Sequence, residues 1–232
     1  MNYPGGKNGF GAYQKIICQM PPHDVYLEPF LGSGAVMRAK RPAPENIGID
    51  IDPGVVAAFD CPSVPGLVVK NCCGISFLKN YHLRVQWTRK HLIYLDPPYL
   101  KSSRLQNRPV YRYELTDDDH FELLQTLLDI SSWGVKILIS GYETKLYNSV
   151  LGHWRRITWT AMTRGGSPAT ECLWMNFPEP VDLHDYQFLG ENKTERQRIK
   201  RKIERWQRKL EGMPILERQA LLAALDRRRS QS

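Results

Sequence analysis

No stretch of the sequence approaches the roughly 18 consecutive apolar residues that a membrane-spanning helix needs, which points away from a membrane partner. Cysteine is scarce and unpatterned. Cys18, Cys61, Cys72, Cys73 and Cys172 are odd in number and lack any C-x-x-C spacing, which argues against both a disulfide framework and a zinc site. The six histidines, His23, His82, His91, His120, His153 and His184, are scattered without metal spacing or a serine partner, so neither a metal nor histidine catalysis is expected. Internal repeats and low-complexity tracts are missing too. The opening "MNYPGGKNGF" does not have the charged-then-apolar layout of a secretory signal, and the expectation is a cytoplasmic protein.

What is present fits a soluble globular chain: 232 residues, 42% hydrophobic and 24% charged. The charge is unevenly placed. From Glu191 to Ser232 there are 13 Lys or Arg against 6 Asp or Glu, so this segment holds a net +7 of the formal +8. A basic appendage on a nearly neutral body suggests a polyanion, most simply nucleic acid, although a solvated Arg-rich helix has the same composition. The expected organisation is a domain over residues 1–185 and a basic helical appendage over 186–232.

Strand-length apolar runs alternate with helical periods, the pattern of a mostly parallel α/β sheet. "DVYLEPF", "NIGIDID", "GLVVKN" and "HLIYLD" read as successive strands, with "LGSG" turning from the first into a helix over 35–40. Thr116-x-x-Asp119 is a capping-box start for a helix running to about Ser131, which Gly134 ends before the strand "VKILIS". "RRITWTAM" and "TECLWMNF", separated by "TRGGSP", read as an antiparallel hairpin closing the sheet. In the appendage Ile199, Ile203, Trp206 and Leu210 recur at helical spacing, and a second helix follows Gly212 and Pro214.

In open α/β sheets ligands bind outside the carboxyl ends of the strands, and three segments fall there. Gly32 and Gly34 in "EPFLGSG" permit a tight turn and close approach of backbone to a ligand, as well as an ordinary structural turn. Asp50 ends the next strand about twenty residues on, where dinucleotide folds place an acid against ribose hydroxyls. Asp52 suits a cap for the helix after Pro53. Asn71 ends the third strand, where a contact to an adenine ring and a turn role fit equally. Asp96-Pro97-Pro98-Tyr99 ends the fourth, where the prolines fix φ and remove two donors between an acceptor and an aromatic face. Pro-Pro also simply stops strand pairing, but that leaves the flanking acid and tyrosine unexplained.

Tyr3-Pro4-Gly5-Gly6-Lys7, "EPFLGSG", "IGID" and "DPPY", in this order, resemble the Dam-like (alpha-group) DNA adenine methyltransferases. The later "YRYE…TDDDH", "LISGY" and "TECLWMNF" resemble the versions carried by phages and prophages, so the likeness covers about residues 2–180. It implies a Rossmann-like, S-adenosylmethionine-dependent methyltransferase sheet in a bacterial or phage-infected cell. It further implies cofactor contacts from Tyr3, Lys7, Glu28, Phe30, Gly32, Ser33, Gly34 and Asp96, and ribose contacts from Asp50. Asp96, Pro97, Pro98 and Tyr99 would form the pocket of a flipped-out adenine in DNA. The chemistry suits the residues: the exocyclic amine of adenine is a poor nucleophile because its lone pair is delocalised, and rigid acceptors aimed at its hydrogens draw it toward tetrahedral geometry.

One departure matters. Only 45 residues separate Asp50 from Asp96, too few for the large recognition domain that better-known members insert there. Lys101, Arg104, Arg108, Arg112 and Tyr113 after the pocket, with Arg164 at the hairpin tip, are therefore the expected nucleic-acid contacts, and a short or relaxed target site is expected. A cytosine-ring enzyme would need a Pro-Cys pair, whereas this chain has Cys61-Pro62. Methylation of the cytosine amino group or of RNA, and a non-catalytic DNA-binding protein keeping the fold, remain alternatives. A homodimer through the C-terminal helices is a further expectation.

Overall fold

In the computed structural model, Lys7 and residues 11–83, 88–100, 112–162 and 168–229 are described. The chain divides into two compact units, Met1–Tyr186 and Gln187–Ser232.

The first unit is built on one seven-stranded sheet. Its strands are β1 (Val25–Glu28), β2 (Glu45–Asp50), β3 (Leu67–Asn71), β4 (His91–Leu95), β5 (Lys136–Tyr142), β6 (Arg155–Met162) and β7 (Pro168–Met175). Their order across the sheet is β3-β2-β1-β4-β5-β7-β6. The first five are parallel, and β7 pairs antiparallel with both β5 and β6. This is the Rossmann-like, mostly parallel sheet with a terminal antiparallel hairpin; the second hairpin strand inserts against β5 and leaves β6 at the edge. β1 and β4 are buried along their whole length, as strands covered on both faces must be, which is why they read as unbroken apolar runs.

The helices of this unit are α1 (Ala12–Ile17), α2 (Ala35–Ala39), α3 (Pro53–Ala58), α4 (Gly74–Lys79), α5 (Asp117–Ser132) and α6 (Lys145–Leu151). Each is short except α5. The Thr116 hydroxyl accepts from Asp119 N–H at 3.1 Å while Asp119 Oδ2 accepts from Thr116 N–H at 2.8 Å, so the expected capping box is formed. Leu123, Leu124, Leu127 and Ile130 of α5 enter the core with Ile93, Ile137 and Trp174 of the sheet. Asp52 caps α3 by accepting from Gly54 N–H at 2.8 Å.

The consequence for function lies in strand order. The chain leaves β1 toward β2 on one side and later places β4 on the other, so a crevice opens above the carboxyl ends of β1 and β4.

The second unit contains α7 (Lys193–Glu211) and α8 (Ile215–Arg229). Asn192 caps α7 by accepting from Glu195 N–H at 2.9 Å. No α7 residue is buried, and Ile203 and Trp206 of its apolar stripe are about half exposed.

Candidate active site

The first wall of the crevice is the turn after β1. Gly32 and Gly34 both have positive φ, 48° and 59°, and a side chain on Gly34 would run into the Phe59 ring. Glycine is thus required there by conformation and by packing. The turn is tied to β2 by Gly32 N–H, which donates to Asp50 Oδ2 at 2.8 Å. Asp52 N–H donates to Asp50 Oδ1 at 2.9 Å. Burial raises the Asp50 carboxyl above its ordinary pKa. A carboxylate has about four acceptor positions, so two backbone donors orient Asp50 and leave capacity for ligand hydroxyls.

Glu28 is buried at the end of β1 and accepts from the Tyr26 hydroxyl at 2.5 Å. Burial pushes its pKa up to about 8, against the opposing effects of that hydrogen bond and of Lys40.

The second wall is the end of β4. Asp96 is held through one oxygen: Ser140 of β5 donates to Oδ1 at 2.9 Å, and the Lys7 ammonium lies 3.0 Å from the same atom. Among the described residues Oδ2 has no partner and stays able to accept. Lys7 also donates to the Tyr99 hydroxyl and approaches Glu171 Oε1 of β7 at 3.5 Å. Burial alone would lower the lysine pKa, but Asp96 and Glu171 more than reverse this and raise it, so Lys7 stays a cation at 4% exposure. Burial raises the carboxyl pKa of Glu171, whose buried Oε2 has no hydrogen-bond partner among the described residues.

Between these walls is a cleft enclosing about 1020 Å³ including its open mouth, the scale of a small-molecule pocket. Lys7, Glu28, Phe30, Gly32, Ser33, Asp50, Asp96 and Pro98 of the expected site residues line it. Gly34, Asn71, Pro97 and Tyr99 are not on its wall. The Asn71 amide is spent instead on the Asp50 and Ile51 carbonyls, both at 3.0 Å, so it locks the end of β2. Tyr99 is 7% exposed, edge-on to Tyr142, and its ring carries the Lys7 ammonium 4.8 Å from the centroid. Of the residues expected at nucleic acid, Tyr113 lines the cleft and exposed Arg112 lies 3.5 Å from Asp52. Tyr3, Lys101, Arg104, Arg108 and Arg164 lie outside the described residues.

The cleft suits S-adenosylmethionine by the chemistry of its donors. It offers Asp50 for ribose hydroxyls, the carboxyl of Glu28 for a cationic amino group, and the apolar faces of Phe30, Ile51 and Ile75 for a purine ring. The approach of backbone is close: a Cβ on Gly74, at the start of α4, would collide with the Pro29 carbonyl oxygen.

Sequence reading did not single out Ser140, Glu171, Gly74 or Glu114, of which the last also lines the cleft. The first two carry a recognisable signal, a hydroxyl in "KILIS" and a charge in "TECLWM", each a polar group inside an otherwise apolar strand.

Residues 71–164 match the family described as D12 class N6 adenine-specific DNA methyltransferase. No curated protein matches the sequence. Among solved structures, the chain is similar to precorrin 8W decarboxylase of Methanobacterium thermoautotrophicum, with 11% identity, coverage of 76% of this chain and 94% of that one, and a TM-score of 0.44. It is similar to a dimethyladenosine transferase from Plasmodium falciparum with 13% identity, coverage of 75% and 62%, and a TM-score of 0.44. For a magnesium protoporphyrin IX methyltransferase of Synechocystis, solved with bound S-adenosylmethionine, identity is 12%, coverage 70% and 74%, and the TM-score 0.35.

Proposed function

We propose that this chain is a Dam-like methyltransferase that transfers a methyl group from S-adenosylmethionine to the exocyclic 6-amino nitrogen of an adenine in DNA. The observation that carries the reading is the anchoring of Asp96. One carboxylate oxygen is fixed by Ser140 and Lys7 while the other is left to accept a hydrogen bond.

When bound, the cofactor supplies a methyl group on a positively charged sulfur. The work of the chain is to hold the partners and to make the amine nucleophilic. Glu28, Ser33 and Asp50 would bind the cofactor's polar groups, and Phe30 would cover its apolar edge. Asp96 Oδ2 and the Pro97 carbonyl would accept the two amine hydrogens, localising the lone pair on nitrogen by preorganised electrostatics. The prolines support this assignment because they carry no competing N–H. The developing positive charge on the amine is stabilised by Asp96, whose own charge Lys7 balances without occupying Oδ2.

The base has to leave the duplex to reach this site, and stacking on an aromatic ring is worth about 1–3 kcal/mol per base. Tyr99 is the ring that directly follows Asp96 and the two prolines. Lys7 and Tyr142 cover it, so a base stacks there only after one of them shifts. Arg104, Arg108 and Arg164, with Lys101, remain the proposed phosphate contacts.

The test is product identity. Host DNA and RNA from cells free of endogenous methylation, digested to nucleosides after expression of the chain, should contain N6-methyladenine in DNA, and Asp96→Ala should abolish it while DNA binding persists. N4-methylcytosine, methylation confined to RNA, or undiminished methylation by the Asp96 variant would each sink the reading.

A further inference from the structure

Helix α7 carries its charges in separate sectors. At about 100° per residue, Arg198, Arg201, Lys202, Arg205, Arg208 and Lys209 occupy roughly one third of the circumference, a sector without any acid. Glu204 and Glu211 lie on another side with Lys193 and Lys200, and Lys200 lies 4.0 Å from Glu204. Ile199, Ile203, Trp206 and Leu210 form a third sector. All six residues of the basic sector are exposed. Arg198 approaches Glu195 at 3.4 Å, whereas Arg201, Lys202, Arg205 and Arg208 have no acidic partner among the described residues.

From these observations we infer that the basic sector of α7 is a second nucleic-acid surface, contacting the phosphate backbone of the substrate duplex without reading its sequence. The inference rests on DNA being the substrate of the catalytic unit. Four arginines at spacings of three, four and three residues make a row about 15 Å long at 1.5 Å per residue. Duplex DNA presents one phosphate charge per ~1.7 Å of axis, so several fall within reach of such a row. Six like charges on one helix face repel each other unless a polyanion neutralises them, and planar guanidinium groups suit phosphate oxygens. An anionic membrane would also attract a basic amphipathic helix. Against it, the apolar sector has only four residues, and acids flank the basic sector on both edges, Glu195 between it and the apolar residues and Glu204 on the other side. The missing inserted recognition domain gives the surface its purpose: sequence-independent affinity held outside the catalytic unit.

Counterion release provides the test. Binding of the full-length chain to a labelled 30-base-pair duplex is measured by anisotropy across a salt series. The comparison proteins are the quadruple variant Arg198→Gln, Arg201→Gln, Arg205→Gln, Arg208→Gln and a control, Lys193→Gln with Lys200→Gln. The log–log salt slope should fall by about 3 to 4 in the quadruple variant and by less than 1 in the control. Turnover at saturating DNA should be unchanged. Helical content by circular dichroism keeps unfolding apart from lost contacts. An unchanged slope would overturn the inference, as would an equal loss per charge in the control. So would loss of binding to phosphatidylserine vesicles in the quadruple variant with DNA binding intact. The outcome is separable from the proposed activity: a slope that falls as expected in a chain that methylates no DNA would defeat the proposed reaction and leave the surface standing.

Discussion

Lys7 and Asp96 meet at 3.0 Å in the interior of the first unit, joining a residue ahead of the first helix to one beyond the fourth strand. The ammonium is bracketed by a second carboxylate, Glu171, at 3.5 Å. One cation thus stands between a buried acid, Glu171, and a partly exposed one, Asp96, and of the two acids it is Asp96 that lines the cleft.

Removing the cation should therefore harm folding and chemistry together. Lys7→Met leaves buried Glu171 and partly exposed Asp96 without their cation, and breaking a buried ion pair in other proteins costs about 3–5 kcal/mol. Adding Glu171→Gln removes one of these acids, so the double variant should recover part of the lost thermal midpoint while its turnover stays at least a hundredfold below wild type. A double variant that regained turnover along with stability would show Lys7 to be a structural counterion only. Denaturation midpoints and single-turnover rates on the same preparations make the comparison.

Ser140 offers a cleaner probe because it carries no charge. Its hydroxyl holds Asp96 Oδ1 at 2.9 Å and lies 3.0 Å from the Tyr94 hydroxyl. A hydrogen bond to a charged acceptor is worth about 1.5–3 kcal/mol. Ser140→Ala should lower kcat roughly ten- to a hundredfold with KM for DNA and cofactor affinity unchanged, the pattern of an interaction felt only in the transition state. Equal loss in cofactor affinity, measured by calorimetry, would assign Ser140 to the pocket wall instead.

Gly74 is constrained by packing, since a side chain there meets the Pro29 carbonyl oxygen at the floor of the cleft. Backbone cannot yield as a flexible side chain can. Gly74→Ala should lower stability by about 1–3 kcal/mol through overpacking and weaken cofactor binding by displacing the turn after β1. An alanine variant with unchanged melting and cofactor affinity would mean that α4 moves freely relative to β1.

How much of this was readable in the sequence follows from the range of each interaction. The strands at the crevice were legible because parallel strands buried on both faces leave continuous apolar runs, as at "HLIYL". The capping box of α5 and the Asp52 cap were legible because their partners lie within three residues. Helices α1 and α6, six and seven residues long, give too little periodicity to detect. Asn71 was ambiguous because its amide answers to carbonyls some twenty positions earlier. Ser140 and Glu171 were hidden for a stronger form of the same reason. Their roles exist only once β5 and β7 lie beside β4 or the N-terminal lysine, and a period-two pattern records which face a residue takes, not what it meets there.

Glu28 leads to the last prediction, in which the sign follows from linkage. Burial pushes its carboxyl up to about 8, against 4.5 in an exposed chain, so the folded protein holds this proton more tightly than the unfolded one. Its contribution to stability is complete below pH 4.5 and is lost as pH rises toward 8. Nearby Lys40, pushed down by burial from 10.5 to about 7, acts oppositely at higher pH: its contribution is present above 10.5 and lost as pH falls toward 7. The two together place a stability minimum near neutral to mildly alkaline pH from this pair. Glu28→Gln keeps an acceptor for the Tyr26 hydroxyl but cannot ionise, so the variant should gain stability relative to wild type as pH rises from 5 to 8, on the order of a few kcal/mol across that range. Chemical denaturation at half-unit pH intervals reads this directly. A difference between the two proteins that stays constant with pH would mean that Glu28 is ionised in the folded state throughout, and the carboxyl would then meet a cationic ligand already charged.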